Sequence, residues 1–258
     1  MAKYELILFD ADGTLFDYER AEAGAIESAL RRFGLDYSES WLARYREIND
    51  LLWRELEEGK TTSAELRVER FRRLLSGPPC SSGESLGPGE GDAGAMDLEE
   101  LSRTYLTLLS KGSHLMDGAL DICRLLAARC RLAILTNGIR EVQMPRFEAS
   151  SLKPYIERVI ISEDTGFNKP HRGIFEYALK AMGHSDKATV MMVGDSLNSD
   201  IRGGIDFGIT ACWFNPKGIP CDSEISPDYE IRRLSELEAI LSNSQGPFRP
   251  NRPVGIGE

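Results

Sequence analysis

Apolar residues along the chain follow a helical period in the first half and form short runs in the second. From about residue 17 to residue 76, apolar positions recur every three or four residues, which predicts amphipathic helices. The first of these helices ends at Gly34 and the second at Gly59. Their apolar faces carry Ala23, Ile26, Ala29, Leu30 and Phe33, and then Trp41, Tyr45, Ile48, Leu52 and Leu56. A third helix is predicted to begin near Thr61–Glu65, and helical periodicity returns over residues 96–110 and 118–128.

Short apolar runs predict β-strands at five places. These are residues 5–9, 132–135, 159–161, 190–193 and 209–214. Helical patterns over 139–149, 171–182 and a stretch ending near Phe207 separate the later strands. Strands that alternate with helices predict a parallel sheet with right-handed crossovers. The expected fold class is therefore α/β, with a Rossmann-like, doubly wound parallel sheet and an inserted all-helical cap domain.

The position of the first strand, far upstream of the others, sets the expected domain bounds. Residues 1–16 and 113–243 are predicted to form the α/β core, and residues 17–112 the helical cap. Residues 76–95 are rich in Gly, Pro and Ser and nearly devoid of large apolar side chains, which predicts a flexible insertion. Residues 244–258 are predicted to be a disordered tail.

Composition narrows the class of protein. The chain has 258 residues, 41% of them hydrophobic and 28% charged, with a formal net charge of -10. This charge argues against binding of a nucleic acid polymer, and no apolar run is long enough for a transmembrane helix. Neither a signal peptide nor a CxxC pattern is present, and the five cysteines are an odd number. These features predict a cytoplasmic protein with reduced thiols and no membrane partner.

Polar residues follow the predicted strands where each one ends. Asp10 and Asp12 follow the first strand, and Thr136, Asn137 and Gly138 follow the second. Lys169 comes after the third strand, and Asp195 and Asp200 follow the fourth. In a parallel sheet these strand ends share one edge, where ligands bind. Each group alone has a plain structural explanation, such as a turn or a helix cap, but their ordered recurrence favours one joint site.

The residue types predict phosphoryl transfer. Carboxylates of Asp10, Asp12, Asp195 and Asp200 suit Mg²⁺, which prefers oxygen ligands. Thr136, the amides of Asn137 and Gly138, and Lys169 could hold an anionic phosphoryl group. Asp10 is the expected in-line nucleophile, and Asp12 could protonate the leaving oxygen and then activate water.

The same motifs resemble those of the haloacid dehalogenase superfamily. The resemblance rests on Asp10-Ala11-Asp12-Gly13-Thr14-Leu15, Thr136-Asn137-Gly138, Lys169-Pro170 and the stretch from Gly194 to Asp200. It implies that Asp10 is the nucleophile, that Asp12 is the acid/base and binds Mg²⁺ through its carbonyl, and that Thr136 and Lys169 hold the phosphoryl group. It also implies Asp195 as a metal ligand, with Asp200 acting mainly through water.

The resemblance extends to one branch of that superfamily. The phrase from Phe9 to Asp17 and Asn168-Lys169-Pro170 look most like pyrimidine 5'-nucleotidases, which implies a phosphomonoester hydrolase for a nucleoside 5'-monophosphate. Phosphatases that resemble N-acylneuraminate-9-phosphatase, or act on other sugar phosphates, are the alternative. A dehalogenase or a noncatalytic binding protein is less favoured, because Asp12 and every other motif carboxylate are present. A phosphomutase, also less favoured, is harder to exclude, because it shares Asp10 and Asp12 and differs in retaining the intermediate against water. The oligomeric state is not readable from the sequence.

Overall fold

The chain forms two compact units. The computed structural model describes residues 3–76, 96–221 and 224–242. One unit contains the described residues up to Phe16, Leu115–Asn137, and the described residues from Ser151 onward. The other contains Asp17–His114, where described, and Gly138–Ser150. Most of the predicted insertion and all of the predicted tail lie outside the described residues, so these two predictions and the domain bounds stay predictions.

The first unit is built on a parallel β-sheet. Its strands are β1 (Leu6–Phe9), β2 (Arg131–Thr136), β3 (Arg158–Ile161), β4 (Val190–Gly194), β5 (Thr210–Phe214) and β6 (Tyr229–Ile231). They lie in the order β3-β2-β1-β4-β5-β6, and each neighbouring pair is parallel. This is a doubly wound order, in which the ligand crevice lies where the order reverses, here between β1 and β4. The predicted fold class is confirmed.

Most helices of the described residues lie where the periodicity predicts them, but the short helices at 162–165 and 237–242 were not predicted. The helices are α1 (Tyr18–Arg32), α2 (Glu39–Glu57), α3 (Ser63–Ser76), α4 (Leu98–Leu109), α5 (Ala119–Ala127), α6 (Arg140–Ala149), α7 (Ser162–Thr165), α8 (Arg172–Ala181), α9 (Arg202–Phe207) and α10 (Leu237–Ser242). Among the described residues, no helix is both long and apolar enough to cross a lipid bilayer.

The core of the sheet unit explains why its strands are continuous apolar runs. Every residue of β1 and β4 is buried, as expected for central strands covered on both faces. On one face, Leu6, Leu8 and Met192 pack with Phe175 and other apolar residues of α8. This packing holds the carboxyl ends of β1 and β4 side by side.

The helical unit contains α1–α4 and α6. Its core is formed by apolar side chains such as Ile26, Leu30, Tyr45, Phe71 and Tyr105. Helix α6 follows β2 in the chain but packs with α4, and its residue Val142 joins this core. The aromatic residues predicted on the α2 face are therefore core residues.

The cysteines of the described residues are thiols. Cys123, Cys130, Cys212 and Cys221 are free. Burial raises the pKa of Cys123 to about 12 and that of Cys130 to about 11, so both remain protonated and unreactive near neutral pH. Cys80 lies outside the described residues.

Candidate active site

Asp10 follows β1 at the carboxyl edge of the sheet. Its N–H donates to the carbonyl oxygen of Val193 at 2.8 Å, so the pairing of β1 with β4 continues to this residue. Asp10 is 8% exposed. A buried carboxylate thus lies at the point where the strand order reverses, as expected for a ligand site in this sheet.

A tight turn follows Asp10 directly. The carbonyl oxygen of Ala11 accepts hydrogen bonds from the N–H groups of Leu15 (3.0 Å) and Phe16 (2.8 Å). Gly13 has a φ of +81°, and a Cβ at this position would collide with the carboxylate of Asp195. Glycine is therefore required twice, for its backbone conformation and for its lack of a side chain.

Lys169 joins two of the carboxylates. Its Nζ donates to Oδ1 of Asp10 at 2.5 Å and to Oδ1 of Asp200 at 2.7 Å. Lys169 is 2% exposed and Asp200 is fully buried. The site therefore contains a buried ammonium group between two buried carboxylates.

Asn137 fixes the backbone of Lys169. The Asn137 side-chain amide donates to the carbonyl oxygen of Lys169 at 2.9 Å, and its Oδ1 accepts the N–H of Lys169 at 2.7 Å. These reciprocal bonds tie the loop after β2 to the loop between α7 and α8. The sequence predicted a role for the backbone amide of Asn137 but missed this one, because it depends on two distant loops meeting.

Asp195 is oriented from the neighbouring strand. The indole N–H of Trp213, on β5, donates to the carbonyl oxygen of Asp195 at 2.9 Å. In the sequence, Trp213 is one residue of an apolar run that predicts a strand, and nothing in its position along the chain indicates this bond.

Asp200 lies in a π-helical turn, Leu197–Ile201, before α9. Its Oδ2 accepts the N–H of Ser196 at 3.1 Å, and Oδ1 accepts from Lys169. Wider turns of this kind occur often at functional sites. Both oxygens of this buried carboxylate are hydrogen-bonded, which fixes its orientation.

Burial and mutual repulsion shift the ionisation of these groups. Burial raises the pKa of Asp10 well above its usual value, and the charge of Asp200 adds to the rise, while Lys169 opposes it. Asp195 is partly exposed, but the protein atoms packed around its carboxylate exclude water from it. This desolvation, together with the charge of Asp200, raises the pKa of Asp195 to about 7. Burial alone would lower the pKa of Lys169, but Asp10 and Asp200 raise it above its usual value. Lys169 is thus a cation near neutral pH.

The carboxylates fit a divalent cation. Asp10, Asp195 and Asp200 each offer one carboxylate oxygen, and these three oxygens lie within 4.8 Å of one another. Carboxylates this close resist joint ionisation unless positive charge is nearby, and Lys169 supplies only one such charge. The carboxylate of Asp12 is not a member of this group, although its charge contributes to the raised pKa of Asp195.

Comparison with known families agrees with this geometry. A model of the haloacid dehalogenase-like hydrolase family matches residues 4–208, which is most of the chain. The chain belongs to the haloacid dehalogenase-like hydrolases.

Individual relatives of this haloacid dehalogenase-like hydrolase differ in how much of the chain they match. The HAD-hydrolase YfnB of Bacillus subtilis is 36% identical over 242 residues, 94% of this chain and 97% of YfnB. A crystal structure of YfnB described as bound to magnesium has a TM-score of 0.82 and covers 93% of this chain and 100% of that one. Pyrimidine 5'-nucleotidase YjjG of Escherichia coli is 32% identical over 243 residues, 93% of this chain and 98% of YjjG. N-acylneuraminate-9-phosphatase of Homo sapiens is 36% identical over 115 residues, 44% of this chain and 46% of that protein.

These findings confirm the predicted family and the predicted enzyme class, a hydrolase of phosphoric monoesters. The structure brings Asp10, Lys169, Asp195 and Asp200 together, and it places Thr136 as the buried last residue of β2. The roles of these residues, and those of Asp12, Asn137 and Gly138, stay predictions.

Proposed function

We propose that this haloacid dehalogenase-like hydrolase is a Mg²⁺-dependent phosphatase of pyrimidine nucleoside 5'-monophosphates. The observation that carries the proposal is the buried Lys169 between Asp10 and Asp200, next to Asp195. A cation fixed beside a buried carboxylate is suited to stabilise the charge that develops on a transferring phosphoryl group.

Asp10 carries the first chemical step. Its Oδ1 is held by Lys169, so attack on phosphorus falls to the second oxygen, Oδ2. The new bond joins this oxygen to phosphorus, and the bond between phosphorus and the ester oxygen breaks. Asp12 donates a proton to the departing oxygen, which leaves as the nucleoside hydroxyl.

Water completes the reaction. Asp12, now a carboxylate, takes a proton from a water molecule whose oxygen attacks the phosphorus of the aspartyl phosphate. The bond between phosphorus and Asp10 breaks, which releases inorganic phosphate and restores both carboxyl groups. The half-buried position of Asp12, in the turn directly after Asp10, is consistent with this exchange with solvent.

The phosphoryl oxygens need donors that are fixed beforehand. Lys169 supplies a charged donor, and Asn137 holds the backbone of Lys169 in place. Thr136 and the N–H groups of Asn137 and Gly138 are the further donors proposed at the end of β2. Donors that need no reorganisation stabilise a transition state most effectively.

Asp10, Asp195 and Asp200, with the carbonyl oxygen of Asp12, would hold Mg²⁺. When bound, the cation neutralises the crowded carboxylates and polarises a phosphoryl oxygen. Carboxylates with raised pKa values fit this assignment, because a cation at this place would restore their ionised forms.

Similarity to a nucleotidase over nearly the whole chain favours nucleotides as substrates. YjjG aligns over 93% of the chain, whereas the human N-acylneuraminate-9-phosphatase aligns over only 44%. The first alignment therefore includes the helical unit, and the second leaves more than half of the chain unmatched. A sugar phosphate is the alternative substrate class.

A substrate panel tests this function. After removal of metal by chelation, activity is measured with uridine 5'-monophosphate (UMP), thymidine 5'-monophosphate, N-acetylneuraminate 9-phosphate and glucose 6-phosphate, with and without added Mg²⁺. We expect Mg²⁺-dependent release of phosphate, with the highest kcat/KM for a pyrimidine nucleotide. A sugar phosphate about tenfold better than every nucleotide, a difference of about 1.4 kcal/mol in transition-state binding, would overturn the substrate assignment.

A further inference from the structure

The peptide group between Asp195 and Ser196 is hydrogen-bonded at both of its ends. Its carbonyl oxygen accepts the indole N–H of Trp213 at 2.9 Å, and its N–H donates to Oδ2 of Asp200 at 3.1 Å. The C=O and N–H groups of a planar trans peptide point in opposite directions, so two such bonds fix the plane against rotation. One peptide group thus connects β5 to the backbone of Asp195 and to the carboxylate of Asp200.

These bonds continue into the buried ion pairs of the site. The other oxygen of the Asp200 carboxylate, Oδ1, accepts from Nζ of Lys169 at 2.7 Å, and the same Nζ donates to Asp10. An uninterrupted series of hydrogen bonds therefore runs from the Trp213 indole through the peptide group to Asp10. Hydrogen bonds in such a series polarise one another in a low-dielectric interior, so a change at one end alters the bonds at the other.

Trp213 also holds this segment by packing. It is 3% exposed and belongs to an apolar cluster with Ile201 and Ile225, against which Leu197 packs. Leu197 and Ile201 are the first and last residues of the π-helical turn that contains Asp200. The Trp213 side chain thus bonds to the peptide group before this turn and shares a core with both ends of the turn.

The place of Asp195 depends on its backbone more than that of the other two carboxylates does. Asp10 is 8% exposed and Asp200 is fully buried, so protein atoms confine both side chains. Asp195 keeps more exposed surface, so packing restrains its side chain less. The bond from Trp213 fixes the backbone of Asp195 directly after the end of β4, and therefore limits where its carboxylate can lie.

We propose that Trp213 is a positioning residue of the candidate Mg²⁺ site. Its indole N–H holds the peptide group that places the carboxylates of Asp195 and Asp200 for a common cation. The inference rests on the proposed Mg²⁺-dependent function, because it concerns the affinity of that same site. Loss of a group that orients a metal ligand typically lowers metal affinity about tenfold to a hundredfold.

An isosteric replacement separates the hydrogen bond from the packing. In benzothienylalanine, sulfur takes the place of the indole N–H and the shape of the side chain is nearly kept, so the donor is lost without a large cavity. Trp41, replaced in the same way, is the matched control, because it is 1% exposed and its Nε1 has no hydrogen-bond partner among the described residues. Both replacements remove a buried N–H, but within the described parts of the chain only the one at Trp213 removes a hydrogen bond.

The first experiment measures the binding of Mg²⁺ alone. Metal-free protein is titrated with Mg²⁺ by calorimetry, and thermal unfolding without metal is followed in parallel. For the Trp213 variant we expect a dissociation constant for Mg²⁺ at least tenfold higher, with a melting temperature lower by about 1 to 6 °C, as for the loss of one hydrogen bond. The Trp41 variant should keep the dissociation constant. An unchanged constant in the Trp213 variant, or equal losses in both variants, would overturn the inference.

Turnover of phenyl phosphate gives an independent readout. In the Trp213 variant, the Mg²⁺ concentration for half-maximal rate should rise by the same factor as the dissociation constant. The kcat at saturating Mg²⁺ should largely recover, because the carboxylates themselves are still present. A kcat that stays low at saturating Mg²⁺, with an unchanged half-maximal concentration, would contradict a role in positioning the metal ligands.

The second experiment reads the indole of the unmodified protein. The indole nitrogens are isotope-labelled, and their N–H signals are followed by nuclear magnetic resonance during a titration with Mg²⁺. The Trp213 signal is the one absent from the Trp213 variant. We expect it to shift along the binding curve found by calorimetry, because bonds in series polarise one another, while the Trp41 signal stays in place. A Trp213 signal that does not move at saturating Mg²⁺ would contradict the inference.

The results separate this inference from the proposed function. Absence of Mg²⁺ binding and of Mg²⁺-dependent turnover in the unmodified protein would refute the proposed function and, with it, the inference. Mg²⁺-dependent turnover by the unmodified protein, together with a Trp213 variant that binds Mg²⁺ just as tightly, would refute the inference alone.

Discussion

Replacing Lys169 by methionine should damage both stability and catalysis. The change removes a buried cation that bonds to Asp10 at 2.5 Å and to Asp200 at 2.7 Å. Both residues are buried, so neither carboxylate can fully recover its solvation from water. Removal of one partner from a buried ion pair typically costs about 3 to 5 kcal/mol.

This cost should appear as a large shift in melting temperature. For a chain of this size, about 2 to 4 °C is lost for each kcal/mol, which gives a shift of about 6 to 20 °C near neutral pH. The shift should shrink as pH falls, because burial raises the pKa of Asp10 and protonation of this carboxyl removes one of the unpaired charges. Added Mg²⁺ should restore part of the loss. The rate should fall at least a hundredfold, as expected when one preorganised charged donor is lost.

The assay is thermal unfolding from about pH 5 to pH 8, with phosphate release from phenyl phosphate in parallel. Lys180→Met is the control, because Lys180 is an exposed lysine of α8 whose side chain forms no ion pair or hydrogen bond with the described residues. A Lys169→Met protein as stable and as active as this control would refute the view that Lys169 holds the two carboxylates and the phosphoryl group.

Other predictions test the remaining parts of the site. Asp10→Asn should fold normally but lose several orders of magnitude in rate, and Asp12→Asn should retain a phosphorylated Asp10, as mass spectrometry would detect. Asn137→Ala should lower kcat clearly and the melting temperature only slightly, because it removes the two hydrogen bonds that hold the Lys169 backbone. Equal kcat values for the variant and the unmodified protein would contradict this. Because the folded-state pKa of Asp195 is about 7, above its usual 3.8, the metal-free protein should lose stability as pH rises between these values. Mg²⁺ should therefore raise the melting temperature more at about pH 8 than at about pH 6, and an equal rise at both would exclude Asp195 as a ligand.

Runs of apolar residues in the sequence predict the strands that are buried in the sheet. The runs that became β1 and β4 are buried on both faces and therefore lack polar positions. Strand β6 was missed because it has three residues and one of them, Glu230, is exposed. It joins the sheet through pairing with β5, which depends on residues far apart in the chain.

In the candidate site, too, residues that directly follow a strand were predictable, whereas contacts between distant segments were not. Asp10 and Asp195 were predicted because each follows an apolar strand directly. The bonds made by the Asn137 side chain and the Trp213 indole could not be predicted, since they join segments that meet only in the folded sheet.

Direct detection of the covalent intermediate tests the central claim. The unmodified protein is mixed with UMP and Mg²⁺, quenched in acid within one turnover, digested and analysed by mass spectrometry. We predict a phosphoryl group on Asp10, absent without Mg²⁺ and absent from Asp10→Asn. Phosphate release from UMP at the full rate by Asp10→Asn, or phosphorylation of another residue, would contradict the proposed mechanism.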